Sequence, residues 1–488
     1  MIHRPPLLRV LLALLLMMLN ACAIGPTYVR PDVEVPAAYK EQSGWKRAPP
    51  NDTDVGSAWW QAYADPLLDS LMVRVSISNQ TLAQAEARYR QARALVQSAR
   101  AGYYPTVDAS VSATRLSARS RSGQSTQAPA DGSTATAGTS TSNTLGLDAK
   151  WEVDLWGRVQ RTVEAQQASA QASADDLEAA RLSAQAQLAQ TYFSLRSSDT
   201  QQQLLERTLA DYQRSVQLTQ NQYDAGIIAK SNLILAQTQL KTTQAQALDL
   251  KVQRAQLEHA IALLIGRAPS DFSIAPGGLV ATVPVMPASL PSDLLERRPD
   301  IAAAKRRVEA ANAQIGIAKT AYFPQLSLSA NGGAQSTSLG SLLSLPNHFW
   351  SFGPALAATL FDGGARRSQV EQASAAYDGT VAAYRQTVLS GFQEVEDNLA
   401  ALRILEAESV VQDEALQLSR RSVELTNNQY KAGIVTYLNV IQVQATALNN
   451  ERAALDILNR RLAASVLLVK ALGGGWTTAA LPQTTTQK

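Results

Sequence analysis

Two segments of this 488-residue chain carry the same turn. Asn221 to Leu235 reads NQYDAGIIAKSNLIL and Asn428 to Gln442 reads NQYKAGIVTYLNVIQ; Tyr223 and Tyr430, like Gly226 and Gly433, stand 207 positions apart. The duplication extends well beyond the turns. Leu82 to Ser110 aligns with Ile301 to Ser329, so that Ala83, Ala85, Ala92, Ala99, Tyr103 and Pro105 recur as Ala302, Ala304, Ala311, Ala318, Tyr322 and Pro324, now 219 positions apart. The difference of 12 places extra residues in the first half between Pro105 and Gly226. Ser117 to Asn143, rich in Ser, Thr, Gly and Ala, reads as the exposed loop that holds them. A repeat of this length decides the architecture before any local signal does.

Each half runs helix, short strand, loop, short strand, long helix, turn, helix. Arg158 to Ala225 contains no glycine or proline, a run of 68 residues, or about 100 Å of helix; Ala365 to Ala432 has the same length. Two equal helices of that size cannot close a compact domain, and they read as coiled-coil walls that need neighbours. Gly226 and Gly433 permit the reversal at the far ends. The strands change period to 2. Leu145, Leu147, Ala149, Trp151, Val153 and Leu155 alternate with a face that carries Asp148, Lys150, Glu152 and Asp154. A charged row opposite Leu and Trp suits a wall between lipid and water better than a half-buried soluble strand. In the second half Trp350, Phe352, Leu356, Ala358 and Leu360 share one face. Tyr103, Tyr104, Trp156, Tyr322, Phe323 and Phe361 stand at strand ends, where an aromatic girdle would lie. Two strands per half make four per chain. In lipid these leave two unpaired edges, so the sheet has to close with other copies. A dimer would give eight strands and a trimer twelve, and these residues do not choose between them.

Composition excludes other classes. The chain is 45% hydrophobic, 17% charged and 6% aromatic, which favours long packed helices over separate globular cores. Its net charge of +3 gives no ground for a nucleic-acid partner. An enzyme needs titratable groups gathered at a site, yet the histidines are His3, His259 and His348, and no Ser–His pair, metal-ligand spacing or phosphate loop stands out. The expectation is a protein that is not an enzyme, without metal or cofactor. RRPD, Arg297 to Asp300, reads as a helix start, with Pro299 in the first turn and Asp300 at the positive end of the dipole. The N-terminus carries His3, Arg4 and Arg9 before an apolar run through Leu11 to Leu19 that is too short to span a bilayer. It reads as a secretion signal. LNAC ends at Cys22, the one cysteine in the chain, and resembles the bacterial lipobox. That resemblance implies acylation of Cys22 and, with Ala23 in place of Asp, sorting to the outer membrane.

The whole chain resembles the TolC-like outer membrane factors, specifically the lipoprotein branch that includes OprM and NodT. The residues that carry the resemblance are LNAC, WWQAYADPLLDSL from Trp59, ARAGYYP and AKTAYFP, EVDLWGR and LFDGGARR, SDLLERRPDI from Ser292, and the two QYxAGI turns. They span nearly all of the mature chain. The fold so implied is a mixed α and β membrane protein. A homotrimeric 12-stranded outer-membrane β-barrel, four strands per chain, continues into a 12-helix periplasmic α-barrel of coiled coils. The resemblance divides the chain into a lipoprotein signal peptide (1–21), a lipidated N-terminal segment (22–78), two structural repeats (79–291 and 292–474) and a flexible tail (475–488), with Pro276 to Pro291 joining the repeats.

The implied function is the exit duct of a tripartite efflux pump, which passes small molecules without consuming energy. A periplasmic adaptor (membrane fusion) protein would join it to an inner-membrane transporter of the RND type, and its barrel would contact outer-membrane lipid. A type I protein-secretion duct and a structural coiled-coil envelope lipoprotein are the alternatives; the second leaves the strands unexplained. By the same resemblance Cys22 carries lipid, and Gly226, Ile227, Gly433 and Ile434 contact the adaptor. Asp148, Lys150, Glu152 and Asp154 face the barrel lumen. Asn439 and Gln442 form the periplasmic gate, supported by Tyr430, Thr436, Tyr437 and Leu438. TolC has acidic residues at the two gate positions, and this chain has amides.

Overall fold

The structure, a computed structural model, describes residues 24–42, 58–118, 138–279, 282–284 and 297–475. Cys22 and the leader before it, residues 119–137, the linker from 285 onward and the tail beyond 475 lie outside the described residues. Helix α1 (Pro66–Ser78) precedes the repeats. The repeats then match element for element. Helices α2 (Gln80–Ala101) and α5 (Pro299–Thr320) have 22 residues each. Helices α3 (Arg158–Asp224) and α6 (Ala365–Lys431) have 67 each, and α4 (Lys230–Leu264) and α7 (Tyr437–Ala471) have 35 each. No helix among the described residues is long and apolar enough to cross a membrane. Two compact units result, and α2, α3, α5 and α6 each contribute to both.

The first unit holds the sheet. Strands β1 (Thr106–Ala118), β2 (Gly138–Val153), β3 (Gln325–Ser336) and β4 (His348–Ala357) form an antiparallel meander in sequence order, with β1 and β4 at its edges. The register separates two faces. Val107, Ala149, Ala330 and Phe352 are cross-strand neighbours on one, and Asp108, Asp148, Asn331 and Ser351 on the other. The apolar face is open: Val111 is 80% exposed, Leu147 58%, Trp350 83% and Leu356 67%. Three expectations need correction. The strands invade the expected loop, taking Ser117, Ala118 and Gly138 to Asn143. Strand β2 ends at Val153, so Asp154 is not a strand charge; its carboxylate accepts from the Val159 and Gln160 amides at 3.1 and 2.8 Å and caps α3. Strand β4 ends at Ala357, which leaves Ala358 and Leu360 outside it. At the foot of the sheet, Trp156 donates to the Pro324 carbonyl at 2.6 Å and packs 5.0 Å from the Phe323 ring. The first described residues are tied there too: the Ile24 amide donates to the Trp156 carbonyl at 3.3 Å.

In the second unit the WWQAYADP motif supplies the core. Trp59, Trp60 and Tyr63 are buried in a short 3-10 turn, and the Tyr63 hydroxyl meets Ser465 at 2.7 Å. Asp65 caps α1 and accepts from the Tyr192 hydroxyl at 2.5 Å. Burial pushes the Tyr192 phenol up to about 12, which keeps it a donor. The duplication reappears as paired contacts. Asn79 donates to the Leu264 carbonyl at 2.7 Å, and its repeat-equivalent Arg298 donates to the Ala471 carbonyl at 3.2 Å. Arg298, buried, also binds Asp300 at 2.7 Å and Glu394 at 2.7 Å. RRPD is thus the structural start of α5, its second arginine wholly engaged. Arg298→Ala leaves two half-exposed carboxylates and the Ala471 carbonyl without their buried partner and should cost about 3 kcal/mol, against about 2 kcal/mol for Asn79→Ala, which loses a neutral clasp and the cap that Asn79 gives the Thr81 and Leu82 amides. Thermal unfolding of the purified protein measures both, and equal losses would contradict this account.

Candidate docking tips and gate

Both helical hairpins end in the same reversal. The Gly226 amide donates to Tyr223 at 2.8 Å and the Ile227 amide to Gln222 at 2.9 Å; Gly433 and Ile434 repeat this with Tyr430 and Gln429, both at 2.9 Å. This is the Schellman closure, which needs a left-handed residue just past the helix. Gly226 and Gly433 supply it at φ +73° and +75°. A Cβ built on either glycine would meet nothing within 4 Å. Ile227 is 71% exposed and Ile434 72%. Each tip therefore offers bare backbone beside an uncovered apolar side chain.

Beyond the second tip, α7 presents two faces. Asn439 and Gln442 lie together on the exposed one, and Thr436 Oγ1 donates to Asn439 Oδ1 at 2.8 Å. Tyr437 and Val440 lie on the buried one, packed with Ala236 of α4. The two tyrosines tie this hairpin to the first. Tyr430 donates to Gln222 Oε1 at 2.8 Å, the Tyr437 and Ser215 hydroxyls share a hydrogen bond of 2.9 Å, and the two rings lie 5.6 Å apart. Burial raises the Tyr430 phenol, against the lowering effect of its Gln222 bond, so it remains protonated. Leu438 is partly exposed and takes no part. Sequence reasoning named Tyr430, Thr436 and Tyr437, of which the two tyrosines reach the first hairpin, and did not name their partners Ser215 and Gln222. One signal existed: Tyr437 stands where the first repeat has Lys230, so the tie runs in one direction only. Above these ties a groove of about 690 Å³ opens between α3, α6 and α7, lined among others by Tyr212, Leu218, Val423 and Lys431.

On the sheet, Asp148, Lys150 and Glu152 share the polar face. Glu152 is held by Arg158 at 2.7 and 2.5 Å. Asp108, directly opposite Asp148, escaped notice because its own strand alternates Val and Ala with Ser and Thr and carries no charged row. Among the described residues, no group of three or more His, Cys, Asp or Glu side chains is placed to hold a metal ion.

The chain matches the family model described as outer membrane efflux protein over residues 71–267 and 290–474. It is 30% identical over 476 residues to the toluene efflux pump outer membrane protein TtgC of Pseudomonas putida, covering 95% of each chain. It is also 30% identical over 477 residues to the outer membrane protein OprJ of Pseudomonas aeruginosa, covering 97% of each. Among solved structures, the outer-membrane channel OprN superposes with a TM-score of 0.84 at 28% identity, covering 93% of this chain and 100% of that one.

The tyrosine ties generate a direct expectation. Tyr430→Phe with Tyr437→Phe deletes both hydrogen bonds and keeps both rings, which should lower the local opening free energy at the tips by about 1–2 kcal/mol. Hydrogen exchange at Gln222, Gly226 and Gly433 should quicken several-fold. Unchanged exchange would show that packing alone holds the hairpins together.

Proposed function

The chain belongs to the outer membrane efflux protein family, and from that premise we propose that three copies form the passive exit duct of a tripartite pump for small molecules. Its site of action is the outer membrane. The observation that carries the reading is the sheet: four strands, apolar and exposed on one face, polar on the other, with both edges unpaired. Three such sheets close a twelve-stranded wall with lipid outside and water inside. The equal 67-residue helices supply the periplasmic wall. An adaptor docks its helices at the Gly226–Ile227 and Gly433–Ile434 tips and in the groove beside them, and links the duct to an inner-membrane transporter of the RND type. The duct performs no chemistry. Gly226→Trp and Gly433→Trp should abolish drug export by cells while trimers still assemble; full resistance in both variants would count against docking there.

Asn439 and Gln442 form the narrowest ring when α7 leans inward. Support comes from their shared exposed face and from the Thr436 bond that fixes Asn439. Amides neither repel one another nor gather cations as three close carboxylates do. In planar bilayers, the low basal conductance should rise when both are changed to Ala, and trivalent cations should block strongly only after Asp is placed at both positions. Strong block of the unaltered channel from the periplasmic side would put the gate elsewhere.

Cys22 carries the lipid anchor. Its support is Ile24, two residues after Cys22, held at the foot of the sheet by Trp156. Mass spectrometry of the mature N-terminal peptide should find lipid on Cys22, and a mature chain that starts at another residue would refute it.

A further inference from the structure

The register that separates the two faces of the sheet also shows where the apolar one ends. Its rows run from Val107 to Ala113 on β1, Leu145 to Val153 on β2, Leu326 to Ala334 on β3 and Trp350 to Leu356 on β4. At the end away from the long helices, every row stops at a polar side chain: Arg115, Asn143, Ser336 and His348. Such a rim marks the passage from hydrocarbon to headgroups in a barrel wall. Just past it the sequence turns apolar again. Residues 337–347, which join β3 to β4, carry Leu339, Leu343 and Leu345, and these are 75%, 72% and 83% exposed. A single exposed leucine needs no explanation; three on one short loop do.

We propose that this loop is an interfacial anchor, whose three leucines lie in the lipid of the outer leaflet at the rim of the barrel. The partner is a lipid surface; the inference rests on the membrane-embedded barrel above and adds a contact at its outer boundary. Three observations support it. First, the loop turns back over the apolar face and leaves the polar one free. The Ser336 and Ser341 hydroxyls meet at 2.6 Å, and Asn143, Ala334 and Ser336 of the apolar face are buried there, whereas Gln335 on the opposite face is exposed. The leucines are thus carried on the side from which lipid approaches, and they continue the lipid-facing rows. Second, the loop is braced from within. Asn347 Nδ2 donates to the Ser341 carbonyl at 2.6 Å and to Ser344 Oγ at 2.8 Å, and the Ser338 and Ser341 hydroxyls share a bond of 2.7 Å. These polar groups satisfy one another, which removes much of the cost of leaving water, and the leucines stay outside the brace. Third, the rim on the same face carries Arg115, which is exposed. Its guanidinium is a donor for lipid phosphate, at the level where leucines beside it would enter the acyl boundary.

Fluorescent labels on introduced cysteines read the contact. Full-length protein, with Cys22 present and an unsubstituted control carried through the same labelling, is reconstituted into phosphatidylcholine–phosphatidylglycerol vesicles whose acyl chains bear bromine close to the headgroup, with iodide as the quencher in water on both sides. A label at Leu343→Cys should be quenched by brominated lipid several-fold more than one at Gln335→Cys, the polar-face position, which iodide should quench instead. Leu339→Ser with Leu345→Ser, added to the labelled Leu343→Cys variant, should weaken the lipid quenching and strengthen that by iodide, because the serine brace stays and the apolar grip goes. Quenching of the Leu343→Cys label by iodide alone would put the loop in water, and quenching by neither agent would put it beneath a neighbouring subunit. Either result overturns the anchor, as does lipid quenching unmoved by the double substitution. Leu147→Cys, in the middle of the apolar row of β2, separates this inference from the reading beneath it: a label there that also escapes brominated lipid would remove the barrel from the membrane, and the anchor with it.

Discussion

A strand at the edge of a sheet presents a row of unpaired amide and carbonyl groups, and the core of a bilayer holds no water to receive them. In this chain β1 and β4 are such edges, and they belong to the part whose exposed face is lined with Val, Leu, Phe and Trp. The apolar face directs the sheet into lipid; the edges forbid it to go there alone. That conflict fixes the assembly, since only other sheets of the same kind supply matching edges. In the proposed duct the polar face, which carries Asp108, Asp148 and Lys150, looks into a water-filled lumen. The long helices make a milder version of the same demand, because an extended helical hairpin has apolar rows that only neighbouring hairpins cover.

What could be read from the residues was what repeats. Helix lengths, the four strands, the facing of Leu147 and Trp350 and the glycine turns all follow from a period of 2 or 3.6, or from the offset of one half against the other. Strand ends followed less well, for a physical reason. Asp154 continues the alternation of Asp148, Lys150 and Glu152 in sequence, but its carboxylate accepts from two free amides in the first turn of α3 and serves there as a cap, past the end of the strand. Ala358 and Leu360 likewise keep the pattern of β4 while lacking the neighbour that would make it a strand. A periodic pattern records which face a residue would take; pairing decides whether it is in a strand at all.

Contacts between segments distant in sequence were beyond such reading. Tyr430 and Gln222, or Arg298 and Glu394, are brought together by the way the helices pack, and nothing in their local sequence names the partner. The duplication narrows the search without completing it. Asn79 and Arg298 occupy equivalent places and reach equivalent carbonyls, Leu264 and Ala471, yet only the arginine recruits two carboxylates. One framework therefore holds two chemistries, a neutral clasp in the first half and an ionic one in the second. The tips diverge in the same manner, since Lys230 has no counterpart to the ring that Tyr437 inserts against α4.

The tie between the hairpins is made entirely of neutral groups: two phenols, one serine hydroxyl and one glutamine amide. Burial holds the Tyr430 phenol in its protonated form, and no charge in the tie is available for salt to screen. The ties themselves therefore respond little to modest changes of pH and ionic strength, and in the proposed duct a partner's contacts are the direct means of opening them. Hydrogen bonds of this kind contribute about 1 kcal/mol each. Two per subunit make six in a trimer, so the ties together resist opening by about 6 kcal/mol. A partner shifts such an equilibrium only by the difference in its affinity for the two arrangements, and an adaptor that seats on Ile227 and Ile434 more fully in the open arrangement has to supply that difference at all six tips of the proposed trimer. Carboxylates in the proposed ring would add a term that varies with pH and cations; if amides at Asn439 and Gln442 form it, as proposed, contact alone sets the balance.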